Sequence, residues 1–434
     1  MVKLCDNTAI KRYEYFYFFV IALYMAQMTP ETTRMIGGLS SPWIPFLIPI
    51  ALTVILLLRN PISFNNRYLI TVIGICLIWE IAVTFHKQLF TTSDQSFQFF
   101  LFYTIIFAYI HVRVFGKQIV PLYESTIVTL CKISLPLYLM SIALPSVMSS
   151  VASSFPQTNL GHNILYLYNY IDFSSEHHLR NSGCSWEPGR FAIMILLGIY
   201  CNMLRNGLKF KNNPNILWLI ITLATTLSTT GYSIALLMYL IMIYRNSNMS
   251  SKIGYTILII PLIAYLFSLD FMGNKITEQL DIKNAVERRM SNMSYYDSSF
   301  EEGEYIGSLG RFEAMYFEVE NIKHDPILGY GRNPQKSYFS QKISSNFSLT
   351  GGILKIIGMH GCILGLFFYI LLYKSSKRLN QQFNQNTSNL LLFLVVTLSS
   401  ISYVVFTIPV FMAFWFYSTF DNGQTTEALN INRY

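Results

Sequence analysis

The sequence predicts an all-α polytopic membrane protein with about twelve transmembrane helices and a large extracytoplasmic loop. Of its 434 residues, 52% are hydrophobic and only 12% are charged, whereas soluble proteins carry about 25% charged residues. Apolar runs of roughly 17–25 residues, the length of a helix that crosses the hydrocarbon core, recur along the chain. One long polar segment, 270–348, interrupts them. Lipid is therefore the expected solvent for most of the chain.

The apolar runs define the predicted spans. They lie near residues 13–29, 43–58, 68–85, 95–112, 119–144, 188–205, 214–229, 232–245, 253–269, 349–373, 389–405 and 408–420. The seventh and eighth are separated only by Ser228-Thr229-Thr230-Gly231, and the last two by a bend at Thr407-Ile408-Pro409. Glycine, serine and threonine can interrupt a helix at membrane depth where neighbours satisfy the freed backbone groups.

Lysine and arginine in the short loops set the predicted orientation. One set of helix ends holds almost all of them: Lys11, Arg12, Arg59, Arg67, Arg113, Lys117, Arg205, Lys209, Lys211, Arg245, Lys252, Lys374, Lys377 and Arg378. The opposite short loops hold Arg34 and Lys87. We therefore expect both termini to be cytoplasmic. Residues 1–269 carry helices 1–9 with an outer loop at 145–187, residues 270–348 form the large extracytoplasmic loop, and residues 349–434 carry helices 10–12 and a cytoplasmic tail.

The charge and the cysteines argue against several classes of function. The net charge of +8 is scattered over short loops, so it is a topology signal, and we expect no nucleic-acid partner. The six cysteines include no CxxC pair, so a metal or redox site is not indicated. Lys11 and Arg12 precede the first apolar run in the manner of a retained membrane anchor.

The first candidate site lies at the start of the sixth span, in Cys184-Ser-Trp-Glu-Pro-Gly-Arg190. Pro188 suits a first helical turn, and Glu187 can complement the positive end of the helix dipole. Arg190 follows within one turn of the interface. A structural explanation is also open, in which Arg190 reaches the headgroups and Trp186 anchors the interface.

The second candidate site lies late in the large loop, where Arg311 follows Gly307-Ser-Leu-Gly and Arg332 follows Gly329-Tyr330-Gly331. Arginine grips phosphate through two parallel hydrogen bonds and keeps its charge at any relevant pH. Outward-facing arginines at a membrane therefore suit a lipid-linked diphosphate, although each one could be a solvated surface charge. Between them, apolar residues at helical spacing predict an amphipathic helix: Ala314, Phe317, Val319 and Ile322.

Earlier parts of the same loop offer further features. Residues 281–293 have helical apolar spacing and predict either a helix on the outer membrane surface or a solvated loop helix. Further loop charges are Arg288, Arg289, Glu301, Glu302 and Glu304. His324 is expected to be a loop histidine without a partner.

Charged side chains inside predicted spans are costly and usually face the bundle interior. They are Glu80, Glu124, Lys132 and Lys355. Glu124 and Lys132 are about two helical turns apart, so they share a face but are too distant for a direct ion pair. His360 could carry a proton, although a histidine at this depth is more often hydrogen-bonded between helices.

Several motifs together resemble the O-antigen polymerase/ligase superfamily. They are Trp186-Glu-Pro-Gly-Arg-Phe-Ala192, Ser228-Thr-Thr-Gly231, Gly310-Arg-Phe312, Pro326-Ile-Leu-Gly-Tyr-Gly331, and the segment Thr350–Gly365 leading into the span after the loop. The resemblance covers roughly residues 180–420. Ligase members commonly have His-Asn where this chain has Thr350-Gly351, and Ser-Arg at Thr230-Gly231. Both departures favour the Wzy-type polymerase branch.

The resemblance implies a glycosyltransferase that moves glycan from undecaprenyl diphosphate on the outer face of the bacterial plasma membrane, with no metal and no cofactor. Arg190, Arg311 and Glu187 are the candidate catalytic residues. The candidate substrate-binding residues are Arg332, Trp186, Arg180, Tyr330 and Thr350. The expected partners are the undecaprenyl-diphosphate-linked oligosaccharide and membrane lipid, with a chain-length regulator and flippase proteins as further candidates.

Three functions stay open at this point. The first is a repeat-unit polymerase for a surface polysaccharide such as O-antigen of lipopolysaccharide or capsule. The second is a ligase that transfers finished glycan to a lipid A core or to protein. The third, from a different class, is a transporter or flippase of lipid-linked sugars, which would need no outer catalytic residues.

Overall fold

The computed structural model describes residues 12–26, 47–88, 101–158, 161–172, 178–208, 213–246, 307–308, 311–342, 347–349, 352–383 and 387–421. The predicted ninth span, the segment 281–293, the two arginines and the acidic residues of the early loop, and Thr350 lie outside these ranges. The described residues are mainly helical. This confirms that part of the predicted fold class which says that the protein is built from α-helices.

Fifteen α-helices are described, together with short π and 3₁₀ turns. They are α1 (Arg12–Met25), α2 (Leu47–Arg59), α3 (Arg67–Lys87), α4 (Phe107–Phe115), α5 (Ile119–Ala143), α6 (Pro145–Ala152), α7 (Pro188–Asn206), α8 (Pro214–Thr225), α9 (Thr229–Asn246), α10 (Arg311–His324), α11 (Tyr338–Lys342), α12 (Ile353–Phe383), α13 (Leu391–Ser402), α14 (Pro409–Trp415) and α15 (Tyr417–Phe420). Strands Gly161–Ile164 and Tyr168–Ile171 form an antiparallel hairpin, and Gly307–Ser308 pairs in parallel with Phe347–Ser348.

Three segments of the described chain are long and apolar enough to cross a membrane: Arg67–Lys87, Thr104–Ala143 and Ile353–Phe383. Large apolar side chains on outward faces are exposed, among them Leu58 at 79% and Ile78 at 71%. Water would penalise such faces, whereas lipid accommodates them. The fold is therefore compatible with membrane insertion.

The segment Thr104–Ala143 divides at Gly116, whose φ of +48° ends α4. As one straight helix its 40 residues would extend about 60 Å, twice the hydrocarbon thickness. Gly116–Gln118 instead forms a 3₁₀ turn between α4 and α5. The break agrees with the predicted boundary between the fourth and fifth spans.

Helix α7 is the central helix of the described bundle. Every residue from Pro188 to Leu204 is buried, and α5, α8, α9, α12 and α13 all contact it. Gly198 permits close packing, since a methyl group there would lie 3.2 Å from both Ile127 and Leu219. The start of α7, which carries the first predicted site, is thus held by several neighbours.

The predicted break between the seventh and eighth spans is present, but it lies slightly earlier than expected. Helix α8 ends at Thr225 and α9 already begins at Thr229, with Leu227 between them at φ +46°. Thr230 and Gly231 are therefore helical. The 12 residues of α8 extend only about 18 Å, less than the hydrocarbon thickness.

The predicted bend at Thr407-Ile408-Pro409 is also present, since α13 ends at Ser402 and α14 begins at Pro409. The predicted span 408–420 is, however, two short helices that meet at Phe416. Residues 410–415 are fully buried, so this segment packs as core of the bundle. The number of twelve spans remains a prediction.

Glu124 and Lys132, two charges within predicted spans, contact other residues and do not form a direct ion pair with each other, as their spacing predicted. Glu124 on α5 accepts from Arg205 Nη1 at 2.6 Å and from Asn202 Nδ2 at 2.8 Å. The Lys132 ammonium lies 5.9 Å from the centre of the Trp218 ring. Glu124 thus joins α5 to α7, because a buried carboxylate requires a charged or hydrogen-bonding partner.

Candidate functional site

At the start of α7, the side chain of Arg190 is buried in the protein. Pro188 occupies the first helical position and Glu187 the N-cap, without a capping bond from its side chain. Arg190 is only 7% exposed and donates from Nε to the main-chain oxygen of Met25 at 3.0 Å. This contact ties α7 to the last residue of α1, so the guanidinium has a fixed position.

The loop before α7 brings Arg180 to the same region. Arg180 donates from Nε to Thr226 O at 3.1 Å, and the amide of Asn181 donates to Thr225 O at 2.9 Å. These donors satisfy carbonyls at the C-terminal end of α8, where the helix dipole also favours a cation. Burial lowers the pKa of Arg180, and nearby Glu187 opposes that shift.

Helix α10 places Arg311, its first residue, against the α8–α9 break. Arg311 donates from Nη1 to Thr230 Oγ1 at 3.1 Å. The Thr230 hydroxyl in turn shares a hydrogen bond of 2.9 Å with Ser402 Oγ on α13. The guanidinium carbon of Arg311 lies 5.9 Å from the centre of the Tyr403 ring, so three elements converge here.

Tyr403 lies at the meeting point of these segments. Its side chain interacts electrostatically with Glu187, Arg311 and Arg190, and Arg180 interacts with Glu187, Tyr403 and Arg311. We call Arg180, Glu187, Arg190, Arg311 and Tyr403 the arginine cluster. Three guanidiniums against one carboxylate give the cluster excess positive charge.

Gly189 allows Tyr403 to approach the start of α7 closely within the arginine cluster. A methyl group at this position would lie 2.9 Å from Tyr403 Oη and 3.6 Å from Glu187 Oε1. Arg190 and Arg311 donate to neutral oxygens, those of Met25 and Thr230, so these contacts do not cancel their charge. Charged donors held in this way can bind an anion such as a diphosphate.

Arg332 lies apart from the arginine cluster. Its Nε is 3.6 Å from Glu80 Oε2 on α3, with side-chain exposures of 9% and 20%. Burial lowers the pKa of Arg332 to about 10, and Glu80 opposes that shift. His360 on α12 also interacts electrostatically with Arg332. Arg332 therefore connects the loop to two long apolar helices.

Tyr330 is likewise buried, at 2% exposure. Its hydroxyl donates to Glu318 Oε1 at 3.1 Å, and its main-chain N–H donates to Gly358 O at 3.0 Å. Glu318 also accepts from Asn321 Nδ2 at 3.2 Å. Tyr330 thus joins α10 to α12.

The segment 325–332 occupies a break in α12 at Gly361, whose φ is +73°. Gly331 N–H donates to Met359 O at 3.0 Å, and Cys362 N–H donates to Pro326 O at 2.8 Å. Asp325 accepts from Lys87 Nζ at 2.5 Å. The loop therefore satisfies backbone groups that the break frees and is fixed to α3 at both of its ends.

The remaining residues singled out from the sequence, Trp186, Thr350 and His324, do not belong to the arginine cluster. Trp186 is half-buried, and its carbonyl accepts from Asn169 Nδ2 at 3.2 Å. Thr350 is outside the described residues, whereas nearby Gly352 packs against the main chain of Tyr403. His324, expected to lack a partner, stacks on Tyr338 with ring centres 3.6 Å apart.

The predicted amphipathic helix is present as α10, but its buried face differs from the expected one. Among the α10 side chains that the structure describes, the buried ones are Ala314, Phe317, Glu318 and Asn321. Val319 is 38% exposed. Hydrophobicity alone missed this face because two of its polar residues are satisfied by hydrogen bonds.

Sequence reasoning also missed Tyr403 and Ser402 as members of the site. Tyr403 is one of 29 tyrosines, and nothing in its local sequence sets it apart. Thr230 was recognisable only as part of a motif at a broken helix pair. Within the described part of the chain, no three histidine, cysteine or acidic residues come together to hold a metal ion.

Comparison with known proteins adds no relative. No protein-family model matches the chain, and neither a curated protein nor a solved structure shows significant similarity to it.

Proposed function

We propose that the protein is a surface-polysaccharide repeat-unit polymerase, which transfers glycan from undecaprenyl diphosphate to a sugar hydroxyl of another lipid-linked unit. The arginine cluster is the observation that carries this proposal. Its guanidiniums come from the loop before α7, from α7 itself and from α10, and Arg311 on α10 is far in sequence from Arg180 and Arg190. Buried charges are costly, and a site that binds a diphosphate explains why several would be held together.

We further propose a topology of twelve spans in the bacterial plasma membrane, with both termini cytoplasmic and the arginine cluster on the extracytoplasmic face. The contacts support this arrangement. The positive-inside rule places the outer ends of the first, sixth, eighth and eleventh predicted spans near Met25, Arg190, Thr230 and Tyr403, respectively. Arg311, in the predicted outer loop, contacts the same group. Lys87 and Asp325, both predicted to be outside, also meet.

The reaction requires stabilisation of the leaving group. The acceptor hydroxyl oxygen forms a bond to the anomeric carbon of the donor, and the bond from that carbon to the diphosphate oxygen breaks. The electron pair leaves with the diphosphate, which gains a negative charge. Arg180, Arg190 and Arg311 stabilise that charge, because fixed donors cost no reorganisation during the reaction.

Glu187 is the group proposed to accept the proton of the acceptor hydroxyl. It is half-buried, interacts electrostatically with Arg190 and Tyr403, and lies close to Gly189. The N-terminus of the 19-residue helix α7 adds its dipole to the binding of the diphosphate. Arg332 and Tyr330 are proposed to anchor the loop, because both are buried against α3 and α12.

The proposal is tested in a deletion strain that carries plasmid copies of the protein. Arg190→Gln and Arg311→Gln should each leave single capped repeat units on the cell surface, at unchanged protein levels. Lys323→Gln is the matched control, since this exposed residue lies on the same helix as Arg311 and pairs only with Glu320 among the described residues. It should give full-length polymer.

The deletion phenotype distinguishes the alternatives. Long polymer that remains unattached would indicate a ligase, and accumulation of lipid-linked units on the cytoplasmic face would indicate a flippase. Full-length polymer from both arginine variants would refute the assignment of the site.

A further inference from the structure

A cleft opens between α3, α12 and α15, away from the arginine cluster. Its volume is about 730 Å³. The lining residues are Asn65, Asn66, Arg67, Tyr68, Thr71, Val72, Ile75, Phe367, Leu371, Lys374, Ser418, Thr419 and Asp421. None of them belongs to the candidate site.

The cleft lies at the opposite end of the bundle from the large loop. Helix α3 begins at Arg67, which lines the cleft, and ends at Lys87, which contacts Asp325. The 21 residues of α3 extend about 30 Å, which is the thickness of the hydrocarbon core. The cleft therefore lies about one hydrocarbon thickness away from the contact between α3 and Asp325.

The two long walls of the cleft share one gradient of polarity. On α3, Arg67 and Thr71 precede Val72 and Ile75, at spacings that share one helix face. On α12 the sequence of polarity is reversed: the apolar Phe367 and Leu371 come first in the chain, and the cationic Lys374 follows them. Because the helices are antiparallel here, both cations lie at the mouth and the apolar side chains lie deeper.

The charges at the mouth leave an excess of positive potential. Arg67 is exposed and donates one hydrogen bond, from Nη2 to Tyr68 Oη at 3.1 Å, while its guanidinium lies 4.9 Å from that ring. Asp421 accepts from Arg378 Nε at 2.9 Å and from Gln382 Nε2 at 2.6 Å. Its charge is therefore already matched by Arg378, which leaves Arg67 and Lys374 to act on a ligand.

The first turn of α3 is not the binding feature. Asn66 caps it by accepting from Tyr68 N–H at 2.9 Å and Leu69 N–H at 3.4 Å. The ligand must instead be recognised by the two cationic side chains and by the apolar walls. A soluble anion would leave those walls without a partner.

We infer that this cleft binds one anionic glycerophospholipid, with its phosphate at Arg67 and Lys374 and an acyl chain along Val72, Ile75, Phe367 and Leu371. A negative headgroup matches the two cations, and the acyl chain packs against the partly exposed Ile75 and Phe367 and the edges of the buried Val72 and Leu371. Basic pockets between membrane helices recognise lipid headgroups in this way. The inference is independent of the proposed enzymatic activity.

Lipid binding is measured on the purified full-length protein in detergent, by native mass spectrometry and by the thermal midpoint. Phosphatidylglycerol should bind more tightly than phosphatidylcholine and should raise the midpoint more. The double variant Arg67→Gln/Lys374→Gln should weaken phosphatidylglycerol binding by about tenfold or more, because hydrogen bonds to charged groups are lost. Lys377→Gln, an exposed cation on α12 outside the cleft, should bind like the unaltered protein.

A second variant tests the cleft without changing any charge. Thr71→Trp replaces an exposed side chain with one that fills the cleft, and it should reduce phosphatidylglycerol binding as the double variant does. Glycerol 3-phosphate, which has the headgroup phosphate but no acyl chain, should not raise the midpoint. Equal affinity for the two lipids, unchanged binding by either cleft variant, or stabilisation by glycerol 3-phosphate alone would overturn the inference.

Discussion

Arg311 donates from Nη1 to Thr230 Oγ1 over 3.1 Å, which joins the first residue of α10 to the second residue of α9. The two residues are 81 positions apart in the chain. Thr230 also hydrogen-bonds Ser402, so one hydroxyl holds the guanidinium in place relative to two other helices. The site therefore depends on this contact for its geometry.

Thr230→Val should reduce polymerisation without removing a charge. The change deletes a hydrogen bond to a charged group, worth about 1.5–3 kcal/mol, so we expect a loss of roughly tenfold to a hundredfold in turnover. The measurement is polymer formation by purified protein from lipid-linked units. Thr230→Ser keeps the hydroxyl and should retain most of the activity; equal losses in both variants would argue against positioning by the hydroxyl.

Gly189→Ala should displace Tyr403 within the arginine cluster while every charged residue remains. Its methyl group would lie 2.9 Å from Tyr403 Oη, which is tighter than an ordinary contact, so the Tyr403 side chain would have to shift. Turnover should fall while the protein level stays constant. Gly189→Ala/Tyr403→Phe removes the hydroxyl that clashes with the methyl group and should recover turnover in part. Normal turnover of the Gly189→Ala variant would show that the position of Tyr403 does not matter for the reaction.

Arg332→Ala should destabilise the fold more than it alters chemistry. It would leave Glu80 without its cationic neighbour, and breaking a buried pair in this way costs about 3–5 kcal/mol. The thermal midpoint of the purified protein should therefore fall. Glu80→Gln/Arg332→Gln removes both charges and should be more stable than Arg332→Ala. A normal midpoint with lost polymerisation would instead make Arg332 a substrate-binding residue.

Gly361→Ala should disrupt the joint between the loop and α12. The added methyl group would lie 1.8 Å from Ile327 O, and the φ of +73° and ψ of 169° form a backbone conformation essentially restricted to glycine, which costs other residues about 1–3 kcal/mol before any clash. The thermal midpoint should fall sharply. Gly74→Ala is the matched control, because a methyl group at this position in α3 meets nothing within 4 Å. It should stabilise the helix by about 0.5–1 kcal/mol.

Stability should depend on the ionisation of Glu318 in α10. Burial raises the pKa of this carboxyl above its ordinary value of 4.5, although Asn321, Lys355 and Tyr330 oppose the shift. The ionised form is thus less favourable in the folded than in the unfolded protein. Protonated Glu318 therefore contributes stability fully at a pH below its pKa in the unfolded chain. That contribution is lost as the pH rises through its higher pKa in the folded protein.

Glu318→Gln, which stays neutral and keeps an acceptor for Tyr330, should remove that part of the pH dependence. Thermal midpoints measured from pH 4.5 upwards should show the unaltered protein losing stability relative to Glu318→Gln. Glu320→Gln, two residues later and paired with Lys323 at the surface, should follow the unaltered protein. Parallel curves for Glu318→Gln and the unaltered protein would contradict the prediction.

Local sequence predicted those features that depend on short stretches of chain. Pro188 after Glu187 marked the start of α7, the run through Ala314 and Phe317 marked α10, and Thr407-Ile408-Pro409 marked the last bend. These patterns are readable because capping, helical periodicity and proline geometry act within a few residues. The same information could not show that Glu318 faces inwards, since its burial depends on partners from other segments.

By itself, the sequence determined that the chain is helical and lipid-compatible, and that Arg190 lies at a helix start. Only the tertiary structure decided that Arg180, Arg190 and Arg311 meet around Tyr403, whereas Arg332 joins Glu80 on α3. The physical reason is that hydrophobic periodicity fixes which face of a helix is buried but carries no information about which helix lies opposite. The partner of each charge is set by packing, and packing involves residues far apart in the chain.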